Sequence, residues 1–212
     1  VRGATARGSD APTNAKEWMT YLVDCSDAMY RTYRGPVPGL QGLTLFQAAC
    51  SQIRDVVACR LAHAVDEDVA IVFFNRGVRV WQAAGPPTLA LLERLDDLVA
   101  ASSSGDFFGK EDDRHERHER HASPLESLRD AMVTTILEFD IEEWNNYKVE
   151  VSLVVAIWTG DNTEGACDDR DPAYQTVAEL VQRRNIRFQV VLLDDFKLEV
   201  PRQNLGDAGT MW

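Results

Sequence analysis

Met19-Thr20-Tyr21-Leu22-Val23-Asp24-Cys25-Ser26-Asp27-Ala28-Met29 is the stretch on which the fold turns. An apolar run of strand character ends in an aspartate, and a serine follows two residues later. In a parallel α/β sheet, ligands bind outside the carboxyl ends of the strands. Oxygen ligands placed there can hold a hard cation, so Asp24 and Ser26 form a candidate Mg²⁺ pair. The next alternate position is Ala28, which has no side-chain oxygen. That gap points to a chain that keeps the strand-end geometry and has lost the ion.

Working outward, residues 1–16 are small, polar and rich in Gly, Ala and Thr, and read as a disordered leader. One domain is expected over residues 17–200, with Met19 to Val23 as its first strand. Arg34-Gly35-Pro36-Val37-Pro38-Gly39-Leu40-Gln41-Gly42 is a turn-rich connection. Thr44 and Gln47 have capping-box spacing, in which two side chains satisfy orphan amides at a helix start. Leu45, Ala49, Ile53, Val57, Leu61 and Ala64 then recur at helical intervals. Val69 to Phe74 is an unbroken apolar run, as expected of a strand covered on both faces. Val78 to Trp81, after the Asn75-Arg76-Gly77 turn, reads as a short edge strand beside it. Pro86-Pro87-Thr88 opens a second helix carrying Leu91, Leu92, Leu95, Leu98 and Val99.

Residues 100–122 change character, passing through Ser102-Ser103-Ser104-Gly105 into an Arg-His-Glu block at Arg114 to His121. With no apolar anchor, this segment is expected to be a mobile loop. Ser123-Pro124-Leu125-Glu126 is a helix start, with Leu125, Leu128, Met132, Thr135, Ile136 and Phe139 following on one face. Val149 to Trp158 is the longest strand candidate and runs into Thr159-Gly160-Asp161-Asn162-Thr163. Asp171-Pro172 starts a helix with Tyr174, Val177, Leu180 and Val181 inward, and Phe188 to Leu193 is a last buried strand. Alternating strands and helices with right-handed crossovers make a doubly wound, mostly parallel α/β sheet with helices on both faces, of Rossmann type. Residues 201–212 have no period and read as a tail.

Composition narrows the function. A chain of 212 residues can bury a full core, and 45% hydrophobic with 26% charged residues is ordinary for a globular domain. The formal net charge of -12, with no concentrated basic face, opposes direct grip on nucleic acid phosphates. Cys25, Cys50, Cys59 and Cys167 are scattered, which suits free buried thiols in a reducing compartment better than disulfides or zinc. No run approaches a membrane span, and the first residues lack the apolar core of a signal peptide.

Asp161 stands at the end of another strand and could join Asp24 and Ser26 around Mg²⁺. The competing reading is that these groups cap the loop by bonding backbone, and the loss of an oxygen at Ala28 favours it. No metal and no cofactor are therefore expected. The loop Gly35 to Gly42 lacks a G-K-[ST] or G-x-G-x-x-G element, so no nucleotide signal survives. His115, His118 and His121 sit three apart, as metal ligands can, but among alternating charges they read as a solvated loop. His63 falls at a helix end. A carboxylate beside Cys25 raises a thiol pKa and argues against a reactive thiolate. No catalytic constellation is found.

Tyr21 to Tyr30 resembles the opening strand of the N-terminal von Willebrand A-like domain in the smaller subunit of the Ku heterodimer. In that fold the metal-ion-dependent adhesion site reads D-x-S-x-S, and the Ku family carries an x-S-x-A-M continuation, as here with Ala28-Met29. Phe46 to Arg60 and Asp68 to Phe74 are similar to that family's first helix and its V-V-F-Y-type strand. Ser123 to Leu137 falls where the family has an S-L-x-E helix. Ile157-Trp158-Thr159-Gly160-Asp161-Asn162 is similar to its L-F-T-N-x-D-N segment. The resemblance covers about Trp18 to Leu193. The Arg/His/Glu loop departs from it, and so does the outward helix used for partners, where Glu179 and Arg183 stand in place of the usual acidic residues.

The resemblance implies a nuclear, non-enzymatic interaction domain of a heterodimer with the larger Ku subunit. Such a complex encircles DNA ends, recruits end-joining proteins to double-strand breaks and acts with telomere proteins. The DNA-encircling barrel would lie beyond residues 201–212. The lyase activity of that family uses N-terminal lysines, and the position of Lys16 does not match them. The alternative is another intracellular von Willebrand A domain that binds proteins through a metal at Asp24 and Ser26. A Rossmann-type enzyme comes third. The loop reading carries its own test. Limited trypsin digestion should cut after Arg114, Arg117 or Arg120 before any core site, and a resistant loop would contradict it.

Overall fold

The computed structural model describes residues 16–64, 67–75, 78–101, 124–138, 149–158, 170, 172–183 and 186–192. Among the described residues, five strands form one sheet: β1 (Lys16–Asp24), β2 (Glu67–Phe74), β3 (Arg79–Gly85), β4 (Val149–Trp158) and β5 (Ile186–Leu192). Their spatial order is β3-β2-β1-β4-β5, with β1 central. Only β3 runs antiparallel, against β2. The helices are α1 (Leu45–Ala62), α2 (Leu89–Ala101), α3 (Pro124–Glu138) and α4 (Pro172–Arg183). The expected α/β class and mostly parallel sheet are what the structure has.

Strand β1 sets both cores because successive side chains point to opposite faces. Met19, Tyr21 and Val23 pack with Phe46, Ala49, Ile53 and Val57 of α1 and Leu91, Leu95 and Leu98 of α2. Leu22 faces the other way, with Leu128, Ala131 and Met132 of α3 and Ala173 of α4. Leu22, Val23 and Phe46 have no exposed surface, and each such side chain contributes roughly 1.5–3 kcal/mol. A row of aromatic rings runs through the first core: Tyr30 and Phe46 at 6.2 Å, Phe46 and Phe73 at 5.5 Å, Phe73 and Trp81 at 5.9 Å. The Arg94 guanidinium closes the row 4.3 Å from the Trp81 ring.

At the amino end of the sheet, Arg60 in the last turn of α1 lies 3.2 Å from the Glu67 carboxylate, whose side chain is almost wholly buried. Burial, and then this carboxylate, raise the Tyr21 phenol well above its ordinary range and hold it neutral. At the other end, Thr32 and Thr44 make an isolated antiparallel bridge that pinches the turn-rich connection shut. Within that connection Gly42 has φ +85°, a conformation that favours glycine.

Several expected boundaries shift. Lys16 belongs to β1 rather than to a leader ending at residue 16, because its backbone already pairs with Val149. Helix α1 stops at Ala62, with His63 as its C-cap and Ala64 at φ 49°. Alanine fits any apolar period, so Ala64 extended the pattern past the true end. Strand β3 covers Arg79–Gly85, longer than Val78 to Trp81, because the β2 ladder continues to a Val69–Gly85 pair. Ala100 and Ala101 belong to α2 and not to the loop assigned to residues 100–122. Residues 1–15, the rest of that loop with Arg114 to His121, Ser123, Phe139, Asp161, Cys167 and the 201–212 tail lie outside the described residues.

The Thr44–Gln47 capping box forms as read, with Thr44 N–H donating to Gln47 Oε1 at 2.8 Å and Gln47 N–H to Thr44 Oγ1 at 3.1 Å. Gln47 also donates from Nε2 to the Val99 carbonyl on α2 at 2.7 Å, tying two helices together. Gln47→Ala should therefore lose more than a cap alone, about 2–3 kcal/mol in urea unfolding, whereas Thr44→Ala should lose about 1 kcal/mol. Equal losses would mean that the interhelical bond contributes nothing.

Candidate functional site

Asp24 is the last residue of β1, and parity places it on the Leu22 face, toward α3. It has no exposed surface. A buried carboxylate must be compensated by donors or by a cation. Here donors surround it. Ser26 gives its backbone N–H to Asp24 Oδ1 at 2.7 Å and its hydroxyl to Oδ2 at 2.9 Å. Asn75, at the carboxyl end of β2, gives Nδ2 to Oδ1 at 2.7 Å. Ser26 is also the N-cap of a 3-10 turn over Asp27–Tyr30, yet its side chain makes no capping bond there. The hydroxyl serves the carboxylate instead.

Asn75 is held from both ends. Its φ of 77° lies in the left-handed region, which asparagine enters more readily than most residues. Its backbone N–H donates to Ser127 Oγ on α3 at 2.8 Å, and Ser127 is buried. One continuous chain of hydrogen bonds thus joins β1, β2 and α3 at the crest of the sheet. Cys25 N–H extends the ladder to the Phe74 carbonyl at 2.9 Å and holds the two strand ends side by side.

Of the residues singled out from the sequence, Asp24 and Ser26 come together: Asp24 accepts from backbone, whereas the Ser26 hydroxyl bonds the carboxylate and not backbone, and Ala28 sits in the turn just beyond. Glu179 and Arg183 lie on the exposed side of α4, 3.3 Å apart, and engage each other one helical turn apart. His63 caps α1, its Nδ1 2.7 Å from the Cys59 carbonyl. Cys25 and Cys50 are buried, and burial pushes the Cys50 thiol far above its ordinary value. Cys59 is exposed, contrary to the expectation of buried thiols, because it falls on the outer side of α1. Among the described residues, no three His, Cys, Asp or Glu side chains group as a metal site would require. Sequence reasoning missed Asn75 and Ser127 as members of the site. The only signal was the asparagine in the Asn75-Arg76-Gly77 turn.

No family model matches the sequence, and no curated protein matches it. Solved structures do. BatB from Bacteroides thetaiotaomicron, described as a conserved hypothetical protein, superposes with a TM-score of 0.53 at 12% identity. The match covers 83% of this chain and 66% of that one, so this chain spans just under two thirds of the BatB structure. The fold is von Willebrand A-like. An aerotolerance-related membrane protein from Bacteroides fragilis, solved with multiple mutations to serines, is more distant: TM-score 0.47, 9% identity, covering 84% of this chain and 67% of that one.

Asp24→Ala should strand the Ser26 and Asn75 donors in a buried place and lower stability by about 2–4 kcal/mol. Asp24→Asn keeps the shape and an acceptor oxygen, and should lose about half as much. Ser127→Ala should lose about 1 kcal/mol by releasing the Asn75 amide. Urea midpoints for the three variants check the order. A harmless Asp24→Ala change would mean that the carboxylate is not what ties the crest together.

Proposed function

We propose that this chain is a metal-independent protein-interaction domain of a Ku-type DNA end-binding subunit, acting by binding and not by catalysis. The observation that carries the interaction part is the closed crest. Asp24 already accepts from Ser26 and Asn75, and Ala28 offers no oxygen, so a partner is engaged through the protein surface rather than through a bridging ion. What supports the Ku part is the succession of sequence segments from Tyr21 to Asn162, with alanine at the same third position. The von Willebrand A-like fold is compatible with it.

In this reading the domain is nuclear and pairs with the larger Ku subunit, whose complex holds double-stranded DNA ends. It presents its helices to end-joining and telomere proteins. The exposed face of α4 with Glu179 and Arg183 is the surface offered to them. DNA itself is held elsewhere in the complex, because a domain of charge -12 gains little from counterion release.

Fluorescence anisotropy with a blunt duplex tests both halves. The isolated chain should show no saturable binding at physiological salt, while the full two-subunit complex should bind tightly. Tight binding by this chain alone would overturn the interaction-domain reading. Failure to co-purify with a larger Ku subunit, or weak DNA binding by the complex, would overturn the Ku assignment. Capture of a protein partner that is abolished by EDTA would favour a metal-dependent adhesion domain instead.

A further inference from the structure

Asp24 and Ser26 keep the two oxygens with which a hard-cation site at this crest begins, and both are still oriented toward each other. A carboxylate has about four lone-pair positions. Ser26 N–H and Asn75 Nδ2 both direct protons at Oδ1, and the Ser26 hydroxyl directs one at Oδ2. An asparagine amide carries its partial positive charge on the two N–H bonds, so it delivers to Oδ1 the kind of field that a cation would deliver. Ala28 alone does not account for this closure, since it removes one oxygen but adds no positive charge. Asn75 adds it.

The backbone around Asn75 is built to keep the amide there. Its φ of 77° turns the chain sharply at the end of β2, and Ser127 Oγ accepts its backbone N–H at 2.8 Å. A glycine would satisfy that backbone with less strain. The bond from its side chain to Asp24 is thus a contribution separate from its turn geometry. We infer that Asn75 is a built-in substitute for a divalent cation at Asp24, a positioning residue that keeps the crest closed to metal. Exchanging this one side chain for a carboxylate would uncover a site for Mn²⁺, Ca²⁺ or Mg²⁺. The inference rests on the metal-independent reading of the crest and names the residue that enforces it.

Asn75→Asp is the informative change, because aspartate tolerates the left-handed backbone as asparagine does. It replaces a donor by an acceptor and sets two carboxylates against each other, an arrangement that like charges disfavour and a hard cation relieves. Thermal unfolding of the wild type, Asn75→Asp and Asn75→Gly is followed in EDTA and in millimolar Mn²⁺, Ca²⁺ or Mg²⁺. The wild-type Tm should be the same in all four. The Asn75→Asp protein should melt lower in EDTA and rise by about 5 °C or more when the cation saturates it. Folding of this variant only in the presence of metal would be the same result in stronger form.

If Asn75→Asp folds in neither condition, Asn75→Gly decides. With the amide gone and the backbone relaxed, it should enhance water-proton relaxation by bound Mn²⁺ above the wild-type level. Two results overturn the inference: a wild type stabilised by metal, or variants as indifferent to metal as the wild type. Neither depends on whether the protein belongs to a Ku complex. Loss of the DNA-binding or co-purification result would leave these melting curves unchanged, so the two readings fail separately.

Discussion

A carboxylate with no exposed surface at the end of the central strand is the constraint around which the upper half of the molecule is arranged. Left alone, the Asp24 charge would be costly to bury. Among the described residues, two chain segments contribute to its compensation, the Ser26 turn just after β1 and Asn75 at the end of β2. Because Asn75 is in turn anchored on Ser127, the carboxyl ends of β1 and β2 and helix α3 are joined by one set of bonds. The hydrophobic contacts of the two cores supply most of the stabilisation, but they are not directional. The polar chain at the crest is.

Each end of the sheet holds a buried carboxylate. At the amino end, the buried Glu67 charge meets a formal cation, Arg60, brought down by the last turn of α1. At the carboxyl end, Asp24 meets neutral donors. An arginine pair leaves the surroundings of Glu67 dominated by a charge partner that reaches solvent along its own side chain. Asp27, Arg31 and Arg34 are exposed on the segment that follows β1.

How much of this was readable beforehand follows the distance in sequence between the groups involved. The capping box of Thr44 and Gln47 spans three residues, and it formed as read. The alternation of β1 and the apolar run of β2 are local patterns, and they placed the central strands correctly. The partnership of Asp24 with Asn75 spans 51 residues, and that of Asn75 with Ser127 spans 52. No local pattern encodes either, so Asn75 read only as a turn residue and Ser127 only as a helix residue. Where the reading overran, as at Ala64, the cause was an alanine that fits any apolar helical period although its backbone there turns left-handed, a conformation that alanine enters at a cost.

The bridge between Thr32 and Thr44 has a consequence for how this surface can vary. It acts as a clasp: Tyr33 N–H bonds to the Leu43 carbonyl at 2.7 Å and Leu45 N–H to the Arg31 carbonyl at 2.8 Å, so the two feet of the loop are held independently of its contents. Lengthening a loop whose ends are already fixed adds only a slowly growing entropy term, about 0.6 kcal/mol per doubling. The Pro36 to Gly39 tip is mostly exposed, and its glycine has open space around it. Evolution, or an engineer inserting a reporter peptide, thus has a place beside the crest where sequence can grow while the aspartate and its donors stay where they are.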